Sequence, residues 1–277
     1  GGGLFAAGSG RITYNLFEAN ACSTITGGFD ATALIEGGGA KIAGDIDIIN
    51  NTFWGNHIYI DASWDPGGVG DINGYAGGLD VDENCLVKNN IITNSRINWQ
   101  IPEYGTVNHE GGGIRSSATD SISFCDIWNN YPTNINNDIF PDILTVLSTN
   151  PRFVNSDTSD FRLAENSLCR NAGEDSIDLG YITGEYGDSM QLAIYVDSSY
   201  ADSFQAGTEV YPYSSIQTSI DNAADGDTIL VENGTYFENI DFIGKSILVS
   251  SYYLNTADTS DIHHTIIDGN SQGPAAT

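Results

Sequence analysis

The amino-acid sequence predicts an all-β fold, a solenoid of short parallel strands, and two observations lead to that prediction. The first is a motif that occurs four times within residues 1–130, with two apolar positions 8 and 13 residues after a first one. The second is that the copies start 36, 39 and 35 residues apart, so the motif is fixed while the connecting segments vary. A fixed core with variable insertions is typical of repeat proteins whose loops project from one side.

The residues inside the motif favour strands. Its apolar residues are mostly β-branched or aromatic and follow no 3.6-residue period, whereas glycine and asparagine between them tolerate the positive φ of a sharp bend. Residues at the same position of the four copies form columns, three apolar and two polar: Leu4, Ala40, Leu79 and Ile114; Ile12, Ile48, Val87 and Ile122; Phe17, Phe53, Ile92 and Ile127; Asn15, Asn51, Asn90 and Cys125; Asn20, Asn56, Ser95 and Asn130.

Stacking of successive copies explains why the columns exist. Each strand would pair in parallel with its counterpart about 4.8 Å away, giving an internal apolar ladder and an amide ladder. The segments IINNTFWGN (48–56) and VKNNIITNS (87–95) resemble coils of the right-handed parallel β-helix, the pectin-lyase-like superfamily. The resemblance implies a right-handed solenoid and says little about activity. An antiparallel sandwich with accidental periodicity is the alternative fold.

Composition limits the partners and the location. Nine basic residues against 37 acidic ones give a net charge of −28, which argues against nucleic acid and anionic membranes as partners. No apolar run approaches the roughly 18 residues that membrane insertion requires. Abundant glycine and a single methionine fit a secreted protein, extracellular or at the cell surface. The sequence starts at Gly1 without methionine or signal peptide, which predicts a processed product or an excised piece.

The four cysteines do not form a metal-binding pattern. Cys22, Cys85, Cys125 and Cys169 are widely spaced and lack any Cys-x-x-Cys, which argues against a compact zinc site. Buried thiols and one or two disulfides both remain open.

Two inserts between the coils collect aromatic residues. Residues 57–76 and 95–110 leave the solenoid at the same corner, so we expect them to lie side by side. Exposed aromatic side chains can stack on sugar rings, and they can equally pack on one another to close the loops. The candidate ligand-binding residues in these inserts are Trp64, Tyr75, Trp99 and Tyr104, with His57 and His109 beside them.

After Trp128 the repeat decays, and the rest of the chain predicts a second domain. Residues 150–180 resemble a closing segment that folds over the last coil, so a first domain of coils and closing segment would span 1–188. Residues 189–277 then resemble an amino-terminal cap and first coils. One short cap helix is expected over 214–224, with Ser214 or Ser215 as N-cap and Gly226 as its stop. Strands are expected at 192–199, 228–231, 246–251 and 265–269, with a turn at 232–236.

This order predicts the back half of one β-helix followed by the front half of another, each with one bare parallel edge. Exposed edges promote aggregation unless they are covered, and another copy bound head-to-tail is an economical cover. A fragment of a longer tandem protein and a self-complemented monomer are the alternatives. The candidate interface residues are Ile247, Val249, Ile266 and Ile267 on one edge and Leu4, Ile12 and Phe17 on the other.

One constellation has a catalytic appearance. The repeat register places Lys41, Asp80 and Arg115 in one column, with Asp82 two positions on and His109 just before the last copy. The resemblance to polysaccharide lyases implies a basic residue as proton acceptor and a cation beside the uronate carboxylate. A ladder of surface ion pairs, each worth about 0–1 kcal/mol, explains the same residues. The acidic chain would attract a polyanion only if calcium, a possible cofactor, bridged the charges.

The sequence therefore predicts a secreted structural protein that binds other copies of itself in a fibre or surface layer. A polysaccharide lyase or another carbohydrate-active enzyme is the first alternative, and a non-catalytic glycan-binding or adhesive module is the second. Polysaccharide is a possible partner in both of these.

Overall fold

A computed structural model describes residues 2–25, 33–61, 72–82, 84–100, 107–117, 120–136, 145–181, 186–187, 192–202 and 205–269. These residues form a parallel β-solenoid of about five turns, followed by further parallel strands and a few short helices. The chain divides into two compact units, the first comprising Gly1–Pro151 and Cys169–Glu185 and the second Arg152–Leu168 and Tyr186–Thr277.

Sixteen strands build the coils of the first unit. Each coil has up to four strand segments, and each segment pairs in parallel with its counterpart one coil along. In chain order the strands are β1 (Leu4–Thr13), β2 (Leu16–Glu18), β3 (Ala21–Ile25), β4 (Ala33–Glu36), β5 (Ala40–Ile49), β6 (Thr52–Trp54), β7 (His57–Asp61), β8 (Ile72–Tyr75), β9 (Leu79–Asp82), β10 (Leu86–Lys88), β11 (Ile91–Thr93), β12 (Arg96–Gln100), β13 (Val107–Glu110), β14 (Ile114–Arg115), β15 (Ser121–Ser123) and β16 (Asp126–Trp128).

The strand register confirms the columns that the sequence predicts. Ile12 pairs with Ile48, and Ile48 pairs with Val87. Phe17 pairs with Phe53, and their rings stack with centroids 4.6 Å apart. Ile48, Phe53, Val87 and Ile92 are almost completely buried, so the apolar columns are the core of the solenoid.

The amide ladder is confirmed as well. Asn51 Oδ1 accepts hydrogen bonds from the backbone N–H and Nδ2 of Asn15, at 2.9 and 3.1 Å. Asn90 Oδ1 receives the same two bonds from Asn51, at 2.8 and 3.1 Å. These buried amides satisfy one another and the main chain at each corner, which a buried polar group requires.

The coils continue past the last copy of the motif. Tyr131 bridges to Arg96, Ile135 to Ile114 and Leu147 to Asp126, all in parallel. Residues 131–136 and 145–147 thus contribute to a fifth turn although they lack the repeat pattern.

Part of the predicted closing segment lies along the side of the coils. Residues 169–181, here called the strap, cross the coils along their side at β6, β11 and β16. Asn50 Nδ2 donates to the carbonyl oxygens of Asp178 and Gly180 at 3.3 and 3.4 Å, and the N–H of Gly180 donates to Asn89 O at 2.9 Å. Residues 152–168 belong instead to the second unit.

The second unit contains parallel strands and a small mixed sheet. β17 (Phe153–Asn155) is antiparallel to β18 (Asp160–Ala164), which pairs in parallel with β19 (Tyr186–Gly187). β20 (Ala193–Val196), β21 (Thr228–Val231) and β23 (Leu248–Ser251) form one parallel sheet, and β22 (Gly234–Tyr236) pairs in parallel with β24 (Thr265–Ile267).

The helices differ from the prediction in number and extent. α1 (Ile216–Asn222) starts after Ser215, whose side chain accepts from the N–H of Thr218, and it ends before the expected stop at Gly226. Two further short helices, α2 (Tyr253–Thr256) and α3 (Thr259–His264), were not predicted because they lack a long apolar period. The predicted turn at 232–236 is wrong in its second half, since Gly234–Tyr236 is a strand whose Tyr236 ring fills the core.

Candidate functional site

Glycine-rich turns bring two columns of charged residues together. Glu36, Tyr75 and Glu110 lie in register at the ends of β4, β8 and β13, and the next strand starts four residues later. A Cβ on Gly38 would lie 2.3 Å from Gly77 O, and one on Gly77 would lie 2.5 Å from Gly112 O. Only glycine lets successive coils approach this closely, so the turn is tight and its flanking side chains face each other.

Lys41 lies at the centre of this cluster. Its Nζ is 2.8 Å from Asp80 Oδ2, 2.6 Å from Asp82 Oδ2 and 3.2 Å from Glu36 Oε1. The Lys41 side chain is 7% exposed and that of Asp80 is 0% exposed. The structure therefore brings the predicted Lys41, Asp80 and Asp82 together, and it buries the pair that the sequence alone placed on the surface.

Arg115 closes the cluster from the fourth coil. Its Nη1 is 3.0 Å from Asp80 Oδ1 and 3.5 Å from Glu36 Oε1, and its Nε is 3.9 Å from Glu110 Oε2. The guanidinium carbon lies 4.1 Å from the centre of the Tyr75 ring, a cation–π contact. Sequence reasoning missed Glu36 and the role of Tyr75, although their constant offset from the apolar column gave the signal.

The ionisation of the cluster argues against proton abstraction by Lys41. Burial alone would lower the pKa of Lys41, but its hydrogen bonds to Asp80 and Asp82 outweigh burial and raise that pKa. Burial raises the pKa of Asp80 to about 6, although Lys41 and Arg115 oppose the shift. A base for β-elimination has to lose its proton near neutral pH, whereas Lys41 is held as an ammonium ion by three carboxylates.

A pocket of about 420 Å³ lies beside this cluster and is lined by Ala43, Gly44, Asp82 and Ser117. Asp82 is the charged residue in that lining, and its carboxylate is already bonded to Lys41. The described lining residues do not supply the convergent polar groups that fix a small ligand.

Two aromatic residues of the second insert, Trp99 and His109, pack on each other. The Trp99 ring stacks on His109, with centroids 3.9 Å apart, and on Tyr131 at 5.7 Å. Burial lowers the pKa of His109, so its imidazole is mainly neutral. Tyr75 packs on Arg115 instead, and Trp64 and Tyr104 lie outside the described residues. Trp99 and Tyr75 thus have different described partners, and their role in ligand binding stays a prediction.

Among the described residues no strand pairs with the outer side of β1 and β2, so the first coil presents an open parallel edge. Leu4, Ile12 and Phe17 are only half-buried, whereas Ala40, Ile48 and Phe53 in the same columns are 0–1% exposed. Phe5 points the other way and is 65% exposed. The predicted residues of this edge are therefore brought together as the uncovered end of the apolar core.

The second unit has an open edge formed by β23 and β24. Ile247, Val249 and Ile267 are half-buried and pack on the core of this unit. Ile266 pairs with Thr235, and both are exposed, so Ile266 faces outward and does not extend the core. Three of the four predicted residues thus share one apolar edge.

A buried carboxyl group beneath the strap is absent from the sequence-based predictions. Asp126 is completely buried, and its Oδ1 accepts from the N–H of Thr149 at 3.0 Å while Cys169 Sγ lies 3.3 Å from Oδ2. Burial raises the pKa of Asp126 to about 7, with these hydrogen bonds acting in the opposite direction. The other residues of its column, including Thr52 and Ile91, are uncharged, so the repeat gave no signal for it.

The cysteines are free thiols in the structure. Cys85, Cys125 and Cys169 are buried and Cys22 is half-buried. Within the described part of the chain, no group of three or more His, Cys, Asp and Glu side chains is placed to hold a metal ion.

The fold defines the protein as a parallel β-solenoid with an attached second unit. Known protein families, curated proteins and solved structures contain no match to the chain. The resemblance to the pectin-lyase-like superfamily and the arrangement as two β-helix halves therefore stay predictions. Among the described helices, none is both long and apolar enough to cross a membrane.

Proposed function

We propose that this protein is an extracellular structural subunit that binds other copies of itself head-to-tail and builds a fibre or surface layer. The observation that carries the proposal is the open edge of the first coil. Leu4 and Ile12 are half-exposed there, although their register partners Ala40 and Ile48 are completely buried one coil further on. An uncovered parallel edge with apolar interior residues is a natural site for strand addition.

The open edge of the second unit has the complementary polarity. β1 pairs with β5, one coil further along the chain, so its free side faces backwards along the solenoid. β23 pairs with β21, one coil earlier, so its free side faces forwards. A parallel solenoid grows by placing the preceding side of one coil on the following side of another. The β23–β24 edge of one copy therefore fits the β1–β2 edge of a second copy, and the joined pair leaves one edge of each kind free.

Such a contact is heterologous, so it propagates into a filament unless it closes into a ring. The contact combines main-chain hydrogen bonds between strands with burial of the apolar ends of two cores. Interfaces of this composition are typically permanent. The composition, with net charge −28 and few basic residues, supports a secreted or cell-surface location and opposes close approach of copies at low salt. Calcium is a possible bridging ion for this charge.

Matched substitutions at each edge test the proposal. Leu4→Asp and Ile267→Asp place a charge in an apolar column at the two open edges, whereas Phe5→Asp and Ile266→Asp place it one residue away on an exposed face. We expect wild type and the two controls to form filaments in negative-stain micrographs and large species in sedimentation velocity. The two inward variants should sediment as monomers, because an unpaired charge would be buried.

Two measurements keep this test decisive. Circular dichroism of each variant shows whether the coils stay folded, and mixing the two inward variants should restore dimers through their remaining intact edges. A wild-type chain that sediments as a compact monomer at high concentration contradicts the proposal.

The lyase alternative has a separate assay. A lyase produces unsaturated sugar ends that absorb in the ultraviolet, and their appearance with an acidic polysaccharide would favour an enzyme. The contacts of Lys41 give no support to that reaction, since its ammonium group is buried among carboxylates.

A further inference from the structure

The corners of the two units have the same interval between inward-facing residues. In the first coil, Ile12 and Phe17 flank the corner between β1 and β2. In the second unit, Val231 and Tyr236 flank the corner between β21 and β22, and both are buried. Each pair is five residues apart, so one corner can be placed on the other without a shift.

The strand pairing shows which residues at the open edge of the second unit are equivalent to this corner. Ser251 pairs with Val231, and Ile267 pairs with Tyr236. Residues 252–264, which contain α2 and α3, form an insertion at that corner. If the corners are superposed, Ile267 lies over Phe17 and Ser251 lies over Ile12.

The edge strand also directs a backbone donor outward. The N–H of Asp268 donates back to Tyr236 O at 2.8 Å. Because backbone groups point to opposite sides at alternate residues of a paired strand, the N–H of Thr265 faces the open edge. The superposed corners place Thr265 over Asn15.

The first coil offers an acceptor at that position. The interior asparagines of the two polar columns use their Oδ1 to accept from the preceding coil, as Asn51 does from Asn15 and Asn56 does from Asn20, at 2.9–3.1 Å. The Oδ1 atoms of Asn15 and Asn20 have no hydrogen-bond donor among the described residues. Each is therefore an acceptor that a further coil can satisfy.

We infer that Asn15 and Asn20 fix the register of the contact between copies, with the N–H of Thr265 donating to Asn15 Oδ1 and Ile267 stacked on Phe17. The inference rests on the proposed function and specifies its partner surface to the residue.

Disulfide cross-linking between two variants that each carry one introduced cysteine tests the register, since the remaining native cysteines are buried. The inferred alignment places Ser250 over Arg11, about 4.8 Å apart as in any paired strands, within the range that a disulfide spans. Arg11→Cys and Ser250→Cys chains, each also carrying Cys22→Ser, are mixed under oxidising conditions. We expect a covalent dimer on a non-reducing gel from the mixture and little from either chain alone.

Ser9→Cys is the matched control, because Ser9 is also exposed and lies two residues along the same strand. Its distance from Ser250 would be about 8 Å, beyond disulfide reach.

Equal cross-linking of the Ser9 and Arg11 variants overturns the register. Filaments that form without the Arg11–Ser250 cross-link overturn the register and leave the proposed function standing. A chain carrying both cysteines that cross-links only within itself overturns contact between copies.

The acceptors have their own test. Asn15→Ala and Asn20→Ala should each raise the critical concentration for assembly about 5-fold, since each removes one acceptor from the contact between copies. Each also removes donations of its Nδ2 within the chain, so circular dichroism has to show that the first coil of the variant stays folded. Asn108→Ala, which removes an exposed amide bonded to Asn73 away from the edge, should leave it unchanged. Equal effects of all three variants contradict a role for Asn15 and Asn20 at the interface.

Discussion

Replacing Asp126 by asparagine should stabilise the protein above neutral pH. Asp126 is buried under the strap, and the causes that shift its pKa include desolvation and two hydrogen bonds but no cation. Its carboxyl group therefore keeps a proton in the folded state to about pH 7, whereas the ordinary value is 3.8. Between these values the folded chain binds more protons than the unfolded chain, so the free energy of unfolding falls as pH rises.

The size of the effect follows from that interval. The pKa difference of about three units corresponds to roughly 4 kcal/mol at about 1.4 kcal/mol per unit. Asparagine keeps an oxygen that can accept from the N–H of Thr149 and carries no charge. We expect Asp126→Asn to match wild type near pH 4 and to exceed it by up to about 4 kcal/mol at pH 8, where wild type bears the full cost.

Urea unfolding followed by circular dichroism from pH 4.5 to 8.5 measures this difference. Asp80, with its pKa raised to about 6, makes the stability of both chains fall with pH, so the difference between the two curves isolates Asp126. Asp47→Asn, at an exposed ion pair with Arg11, is the control and should change stability by less than about 1 kcal/mol. A difference curve that is flat across this pH range refutes the reasoning.

Three further predictions concern the coils and their charge. Phe53→Ala should lower the free energy of unfolding by about 3–5 kcal/mol, and Phe17→Ala should lower it less because Phe17 is only half-buried. A loss below about 1 kcal/mol for Phe53→Ala in urea titrations would contradict its place in the core. Gly77→Ala should lower the free energy of unfolding by about 3 kcal/mol or more, because its Cβ would lie 2.5 Å from Gly112 O. Gly55→Ala, which has open space around it and a φ of +64°, should lower it by about 1 kcal/mol. Equal melting temperatures of the two variants would exclude the close contact between coils. Raising sodium chloride from about 50 to 500 mM should lengthen the filaments measured by light scattering, since salt screens the repulsion between chains of net charge −28. Shorter filaments would indicate that attraction between charges holds the copies together.

The strand register was predictable because the repeat encodes it. In a solenoid, stacking requires that equivalent positions recur at fixed offsets, so the column of Phe17, Phe53, Ile92 and Ile127 is visible in the sequence itself. The column of Lys41, Asp80 and Arg115 was predictable for the same reason. Their burial was not, because it depends on the opposing column of Glu36, Tyr75 and Glu110 across the glycine turn.

The parts that only the tertiary structure decided are those without a repeat. Residues 131–136 and 145–147 contribute to a fifth turn through isolated bridges, and the strap crosses the coils through contacts such as Lys88 with Glu174, 3.0 Å apart. The sequence by itself determined the solenoid, its register and its amide ladder, since each coil repeats the same local choices. Tertiary structure decided that Asp126 meets Cys169, because a contact between a repeat and a non-repeating segment leaves no periodic pattern to detect.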